Sequence, residues 1–522
     1  GEAMIVHTQK GASELEAMRH LPAGEHKVAV KCEGNSRLSS LVVRSIPELL
    51  HAGVGYEPSP LMGGGYGPYD WAFLGRIGML DNTNVILERA PKPENAAGVE
   101  EWLRAGKRRL AYYNVYWIVP KGQVVTADIA FAKWTGSAGF QSDGYGGIVV
   151  DEFSGGYPAG EEATAMIEAV SRIGGDRRFA GRVFYPYCSG MYTGKTGKVF
   201  LTAVLAHGYK FAEERYLAEQ RTEAEARKYL GRELRQHMYR YNSTFGDCAK
   251  DMIVNLGYMS APPETLNVNP CTDFKVFMDM QMNMIANDPV FFGLYGVAWY
   301  HVAYADEEII RWTAKLYRHY CVEGKRERLS SDPYELDYVE NPDFESGTEG
   351  WTLAPAEMGS IRADRAPGYA WLQGRYPWTT EGDTFLVTCR SAKAPNRFRQ
   401  EIRNLTPGRL YSMKMFVTDR KDLVEKESRA REHPVSVKIS GVEIIDRDFF
   451  KQVYGSGLAG HGYGGFGREK QLYITYSLVV FRASAERAEL SVSDWASDDA
   501  PGGPIGQELA FNFFEVQPYL EK

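Results

Sequence analysis

Between residues 46 and 325, short apolar runs alternate eight times with amphipathic stretches. The runs have the length of β-strands, and the stretches space their apolar residues as helices do. Eight strand–helix units predict a (β/α)8 TIM barrel. The alternative is a doubly wound sheet, but Gly63-Gly64-Gly65 is followed by Tyr-Gly-Pro and not by the helix start of a phosphate-binding turn. The predicted strands are Leu50–Gly55, Asn84–Glu88, Leu110–Trp117, Ile148–Phe153, Arg182–Tyr187, Tyr209–Arg215, Met252–Tyr258 and Phe292–Trp299.

The pattern changes after Cys321 to short alternating strands separated by turn residues, which predicts a C-terminal antiparallel β-sandwich. We therefore expect three regions: an N-terminal β-strand extension over 1–45, a catalytic barrel over 46–325 and a sandwich over 335–522. The charged linker between barrel and sandwich predicts a fixed sandwich that braces the barrel. An aromatic loop within the sandwich, from Asp446 to Gly467, is a candidate binding edge. The predicted sandwich strands are Phe385–Cys389, Arg409–Thr418, Val435–Ile439, Leu472–Ala483, Ala488–Ser493 and Leu509–Val516.

The amino-acid composition indicates which classes of binding partner the protein has. A net charge of −7 over 522 residues gives no basic footprint for nucleic acid. No apolar stretch has the length of a membrane span, and the six cysteines have no metal-ligand spacing. The aromatic content of 13%, with 32 Tyr and 10 Trp, suits a protein that grips sugar rings. We expect a carbohydrate substrate, a monomer or small homo-oligomer, a secreted or periplasmic location, and no cofactor for catalysis.

The fourth predicted strand, Ile148-Val149-Val150, ends in Asp151 and Glu152. Ligands and catalytic groups lie at the carboxyl ends of strands in barrel folds, so these carboxylates are catalytic candidates. The alternative is that Asp151 or Ser154 only caps the next helix. Because strand side chains alternate, Asp151 and Glu152 are expected to face opposite sides unless the strand ends between them. We expect Glu152 to be the acid/base and Asp151 to order the site.

A second carboxylate is expected across the barrel mouth, because glycoside cleavage needs two. The seventh strand carries none, so Glu213 or Glu214 at the end of the sixth strand is the candidate partner. The alternative is a surface salt-bridge stripe before a charged helix. Other polar or aromatic groups near predicted strand ends are candidate substrate contacts: Glu57, Glu88, Arg89, Asn114, Trp117, Tyr157, Tyr185, Tyr187, Arg215, Asn255, Trp299 and His301.

Two segments resemble known families. The run Asp143-Gly-Tyr-Gly-Gly-Ile-Val-Val-Asp151-Glu152 is similar to the fourth-strand motif of glycoside hydrolase barrels of the spherulin-4 type, with Tyr145-Gly146 inserted. The resemblance implies catalytic carboxylates after this strand. The C-terminal region resembles jelly-roll carbohydrate-binding modules in Asn341-Pro-Asp-Phe-Glu and in Phe511-Asn-Phe-Phe-Glu515. That resemblance implies a structural calcium ion, with Asp343, Glu345 and Glu515 as its candidate ligands.

The sequence therefore predicts a glycoside hydrolase that cleaves a poly- or oligosaccharide with two carboxyl groups. Two other functions stay open. One is a glycan-binding protein on a barrel that has lost catalysis, which the bare seventh strand favours. The other is a polysaccharide lyase, in which Tyr185 or His301 would be the base and Arg89 or Arg215 would neutralise a uronate.

Overall fold

The computed structural model describes residues 5–6, 15–21, 24–53, 69–88, 93–261, 264–300, 302–375, 379, 381–425, 433–446 and 473–521. Eight parallel strands close into a barrel in the order β1-β10-β7-β6-β5-β4-β3-β2, which confirms the predicted TIM barrel. The short pair β8 and β9 lies outside the barrel. These strands are β1 Glu48–Ala52, β2 Val85–Glu88, β3 Arg108–Asn114, β4 Gly147–Ser154, β5 Val183–Ser189, β6 Phe211–Arg215, β7 Met252–Gly257, β8 Ser260–Ala261, β9 Glu264–Thr265 and β10 Gly296–Tyr300.

Helices surround the barrel and cover the outward face of each strand. The outward side chains pack against them, which explains why strands such as Ile148–Val150 are buried on both faces. Two helices continue into π-helical turns, at Gly231–Gln236 and at Tyr317–Val322. The barrel helices are α1 Trp71–Arg76, α2 Met79–Asn82, α3 Ala96–Arg104, α4 Ala127–Thr135, α5 Ala138–Gln141, α6 Gly160–Gly175, α7 Lys195–Ala206, α8 Glu223–Leu230, α9 His237–Phe245, α10 Phe274–Asn287 and α11 Glu307–Leu316. Two short helices, α12 Tyr369–Leu372 and α13 Arg420–Glu425, connect strands of the C-terminal sheets.

Two antiparallel sheets form the C-terminal sandwich, as predicted. One has four strands in the order β11-β14-β19-β16, and the other has six in the order β12-β13-β20-β15-β18-β17. Apolar side chains from both sheets fill the space between them. The jelly-roll connectivity stays a prediction. The strands are β11 Thr352–Ala354, β12 Ile361–Arg365, β13 Thr384–Cys389, β14 Arg397–Ile402, β15 Leu410–Asp419, β16 Ser436–Ser440, β17 Val442–Asp446, β18 Ile474–Ala483, β19 Ala488–Ser493 and β20 Glu508–Pro518.

The outer face of the six-stranded sheet packs on the barrel. Phe416, Tyr476 and Phe513 of this sheet belong to the same apolar cluster as Ile309 and Trp312 of α11. Lys414 is buried between the two parts, 3.2 Å from Asp306 and 3.2 Å from Glu515. This contact supports the prediction that the sandwich braces the barrel.

The N-terminal segment differs from the prediction. No strand occurs among the described residues of 1–45, and Val28 and Val42 are 64% and 75% exposed. The predicted β-strand extension is therefore wrong for those residues. Its alternating pattern lacks a partner sheet, and two short strands alone bury too little apolar surface to offset the entropy of ordering them.

No helix among the described residues is long and apolar enough to cross a membrane.

Candidate active site

The barrel interior is lined by every second residue of each strand. On β4, Val149 faces the interior, so Asp151 two residues later faces it too. The pairing of β4 with β5 shifts between Val150 and Phe153, and Glu152 within this irregularity has a φ of 77°. The shift ends the regular alternation, and the Glu152 side chain is exposed. The two carboxylates therefore have different surroundings: one is inside the barrel and the other is open to solvent.

Asp151 is 6% exposed and accepts two hydrogen bonds. The Tyr112 hydroxyl donates to Oδ2 at 2.5 Å, and the backbone N–H of Glu152 donates to Oδ1 at 2.8 Å. Burial raises the pKa of Asp151 to about 6, with a further rise from the charge of Glu152, while the two hydrogen bonds oppose the increase. Neither Asp151 nor Ser154 caps a helix, because α6 begins at Gly160 after Ala159.

The two glutamates of β6 face opposite sides. Ala212 lies in the barrel interior, so Glu214 faces inward and Glu213 faces the helices. Glu213 is fully buried and accepts the Gly190 N–H at 2.9 Å, the His237 Nε2–H at 2.6 Å and the Tyr241 hydroxyl. These contacts hold the loop after β5 against β6. Glu213 is therefore a structural residue. Of the two glutamates, Glu214 is the remaining candidate for the second carboxylate.

Glu214 accepts a hydrogen bond from the Tyr216 hydroxyl at 2.7 Å. The Tyr216 ring stacks on Tyr300 of β10, with centroids 5.6 Å apart. Burial of the carboxyl and then the charge of Asp151 raise the pKa of Glu214 well above its usual range. Asp151 and Glu214 thus form an interacting carboxyl pair inside the barrel, near the C-terminal ends of β4 and β6.

Aromatic side chains flank this pair on the side of β3. Trp117 is 43% exposed and contacts Tyr112 edge-on at 5.6 Å between centroids. Tyr116 lies 5.9 Å from Tyr157, and burial, Glu152 and Asp151 all raise its pKa. Trp117 thus packs on Tyr112, which contacts Asp151, and Tyr157 packs on Tyr116, while the role of both as substrate contacts stays a prediction. Flat rings at this position can support a sugar face.

Asn114 and Asn255 also lie near the pair, but behind the tyrosines. The Asn114 carbonyl oxygen accepts the Tyr116 N–H at 2.9 Å. Asn255 on β7 is fully buried, and its amide donates to Tyr216 Oη at 3.3 Å. The contact of Asn255 shown here is with Tyr216, and a contact with substrate stays a prediction.

Two other predicted contacts, Trp299 and Tyr185, lie away from the mouth, and a third, Tyr187, contacts Tyr300 inside the barrel. Trp299 faces the helices and stacks on Tyr258. The Tyr185 hydroxyl points to the barrel floor, 3.3 Å from Glu48. Trp299 was predicted to contact substrate, but strand alternation turns it outward because its neighbours Ala298 and Tyr300 face the barrel interior. Tyr185 faces inward but occupies a lower layer of side chains. Tyr187 is inside the barrel and fully buried.

Arg215 and Glu88 also face outward. Arg215 pairs with Glu233 at 2.5 Å, and Glu88 accepts from the Tyr145 hydroxyl at 2.9 Å and from Arg109 at 3.2 Å. Neither residue is available to a ligand in the mouth. Three further candidates, Glu57, Arg89 and His301, lie outside the described residues, as does most of the aromatic loop with Tyr454, His461, Tyr463 and Phe466.

Sequence reasoning missed Tyr112, Tyr116 and Tyr216. The signal for Tyr112 was its place two residues before Asn114, on the same strand face. Tyr216 directly follows Glu213-Glu214-Arg215. Each could have been found by asking which phenols share a strand end with a carboxylate.

The carboxylates predicted to bind calcium have protein partners among the described residues, and the calcium ion stays a prediction. Asp343 accepts two hydrogen bonds from the Arg375 guanidinium, at 2.6 and 2.8 Å. Glu345 accepts the Gly382 N–H at 2.7 Å, and Glu515 pairs with Lys414. No group of three or more His, Cys, Asp or Glu that could hold a metal ion occurs among the described residues. A buried guanidinium thus supplies the positive charge beside Asp343.

In the part of the sandwich that the structure describes, the outer side of the four-stranded sheet carries no aromatic platform. The exposed side chains of β14, β16 and β19 are charged or small, among them Arg399 and Glu489, which pair at 3.2 Å. Glycan binding by the sandwich stays a prediction, and its candidate loop lies outside the described residues.

The chain is similar to several solved structures at low sequence identity. No protein-family model and no curated protein matches the chain. An endo-β-N-acetylglucosaminidase from Cordyceps militaris is 10% identical, with a TM-score of 0.36 over 52% of this chain and 90% of that chain. A fungal β-1,4-galactanase is 12% identical, with a TM-score of 0.35 over 52% and 100%. The carbohydrate-binding module TmCBM61 is 13% identical, with a TM-score of 0.18 over 35% and 98%.

Proposed function

We propose that the protein is a glycoside hydrolase that cleaves a poly- or oligosaccharide in the barrel mouth. One observation carries the proposal: Asp151, Glu152 and Glu214 gather at the ends of β4 and β6, and their surroundings differ. Glycoside cleavage needs one protonated carboxyl and one ionised carboxylate, and unlike surroundings create that difference.

The raised pKa of Glu214 supports Glu214 as the proton donor in place of Glu152. Glu152 is the exposed carboxylate, so it is the group that can reach the anomeric carbon or activate water there. Both Asp151 oxygens accept hydrogen bonds, which suits a fixed negative charge beside the oxocarbenium-like transition state. Trp117 and Tyr157 would support the sugar.

The lyase alternative has less support. Its candidate base Tyr185 has its hydroxyl at the barrel floor, and its candidate cation Arg215 is paired with Glu233. The glycan-binding alternative uses the same mouth without turnover, so only an activity measurement separates it from the hydrolase.

The test measures reducing ends released from a panel of polysaccharides and oligosaccharides. Glu214→Gln and Glu152→Gln should each lower kcat by about 10²–10⁴-fold, because each removes a proton-transfer or charge role. Glu100→Gln, at an exposed position on α3, is the matched control and should leave kcat unchanged. Binding without released sugar would overturn the proposal in favour of a glycan-binding protein, and unsaturated uronate products would overturn it in favour of a lyase.

A further inference from the structure

Two matched hydrogen-bond chains support the carboxyl pair from opposite sides. In the first, the Asn114 amide donates to Tyr112 Oη at 3.5 Å, and the Tyr112 hydroxyl donates to Asp151 at 2.5 Å. In the second, the Asn255 amide donates to Tyr216 Oη at 3.3 Å, and the Tyr216 hydroxyl donates to Glu214 at 2.7 Å. Each chain has the order amide, phenol, carboxyl.

The asparagines determine the direction of each chain. A phenol carries one hydrogen and accepts through its lone pairs. Because an amide N–H already approaches the oxygen, the phenol hydrogen is directed to the carboxyl. Each tyrosine is therefore fixed as a donor, and a donor stabilises the ionised form of the carboxyl that it contacts.

The chains are unequal at their carboxyl ends. Asp151 accepts a second hydrogen bond from the backbone N–H of Glu152 at 2.8 Å. Among the described residues, Glu214 has no matching backbone donor. Two donors favour ionisation more than one, so the arrangement makes Asp151 the easier of the two to ionise.

We propose that Tyr112 and Tyr216 are positioning residues that each favour ionisation of the carboxyl they contact, and that the additional bond from the Glu152 N–H makes Asp151 the carboxyl that ionises first. At neutral pH, Glu214 carries the proton and Asp151 is ionised. The inference rests on the proposed function only for its kinetic consequence, because the order of protonation is a property of the free protein.

The neighbouring charges fit this order. Asp151 interacts electrostatically with Glu152, Glu214, Tyr116 and Tyr216, and burial raises its pKa to about 6 despite the bond from Tyr112.

Glu214 is acted on by Asp151, Glu152 and, from behind the strand, Glu213, with Tyr216 and its stacked neighbour Tyr300 beside it. Burial dominates at both carboxyls. The two phenols limit the rise in pKa that burial causes.

Removing one hydroxyl should therefore shift one limb of the pH profile. Tyr112→Phe makes Asp151 harder to ionise, so the acidic limb of kcat/KM moves to higher pH. Tyr216→Phe makes Glu214 harder to ionise, so the alkaline limb moves to higher pH. Each shift should be about one to two pH units, the equivalent of one hydrogen bond to a charged group. The first variant narrows the active range and the second widens it.

The experiment records kcat/KM against pH for the full chain, with Tyr239→Phe as the matched control because Tyr239 is exposed on α9. The control should move neither limb. A merely structural role for the two phenols would lower the melting temperature and leave both limbs in place. That result, or a shift of the wrong limb, would overturn the proposal.

A second readout needs no activity. In protein labelled with ¹³C at aspartate carboxyls, the resonance missing from Asp151→Asn belongs to Asp151. Its titration midpoint should lie near 6, as burial sets it, and should rise in Tyr112→Phe but not in Tyr239→Phe. An unmoved midpoint in Tyr112→Phe overturns the inference. A moved midpoint in a protein that cleaves no glycoside upholds the inference and sinks the proposed function.

Discussion

Glu152 has a left-handed backbone, with a φ of 77°, immediately after the buried Asp151. A residue other than glycine costs about 1–3 kcal/mol in such a region unless its surroundings enforce it. Here the Glu152 N–H is held by the Asp151 carboxylate, and the strand pairing shifts at the same place. The left-handed backbone turns the Glu152 carboxylate out of an otherwise regular strand, to an exposed position.

Glu152→Gly should separate stability from activity. Glycine adopts positive φ without strain, so we expect the free energy of unfolding to rise by about 1 kcal/mol. Activity should be lost with the carboxylate. Glu152→Ala is the control, since it removes the carboxylate and keeps the strain. Denaturant titration checks both, and equal stabilities of the two variants would contradict the strain argument.

At the scale of elements, strand alternation decides which residues reach the mouth. The sequence predicted all eight barrel strands, because each is a continuous apolar run between polar turns. It could not choose between Glu213 and Glu214, since Phe211 and Ala212 are both apolar and a one-residue shift reverses the faces. It also missed β14, whose alternate residues Arg397, Arg399 and Glu401 are charged and hide the apolar spacing of its other face.

The two faces of β6 predict opposite effects for neighbouring substitutions. Glu213→Ala should destabilise the fold by about 2–4 kcal/mol, because three buried donors lose their acceptor. Glu214→Gln should change stability by less than about 1 kcal/mol, because burial raises the pKa of Glu214 and so favours the uncharged form that glutamine resembles. Thermal unfolding of both variants at neutral pH measures the difference. Comparable losses would mean that both glutamates are structural.

At the scale of the whole molecule, the sandwich is fixed to the barrel by buried charges as well as by apolar contact. Lys414 on β15 lies between Asp306 of the barrel and Glu515 of β20, and all three side chains are at most 2% exposed. The sequence predicted a fixed sandwich from its linker, but not this contact. Residues that are more than 100 positions apart carry no periodic signal that could pair them.

Lys414→Met should test this attachment. It leaves two buried carboxylates without their cation, which costs about 3–5 kcal/mol. Lys393→Met is the control, because Lys393 is exposed in its pair with Glu357 and should cost under about 0.5 kcal/mol. Chemical denaturation measures both. A Lys414 variant as stable as the control would mean that the interface does not need its charges.

The apolar cluster that joins the six-stranded sheet to α11 also limits how this chain can evolve. A domain that is joined to its neighbour only by a flexible linker can be exchanged between proteins during evolution, because its separation exposes no buried surface. In this protein, separating the sandwich from the barrel would expose Phe416, Tyr476 and Phe513 of the sandwich and Ile309 and Trp312 of the barrel. Barrel and sandwich are therefore expected to be inherited together and to change in step at their shared surface.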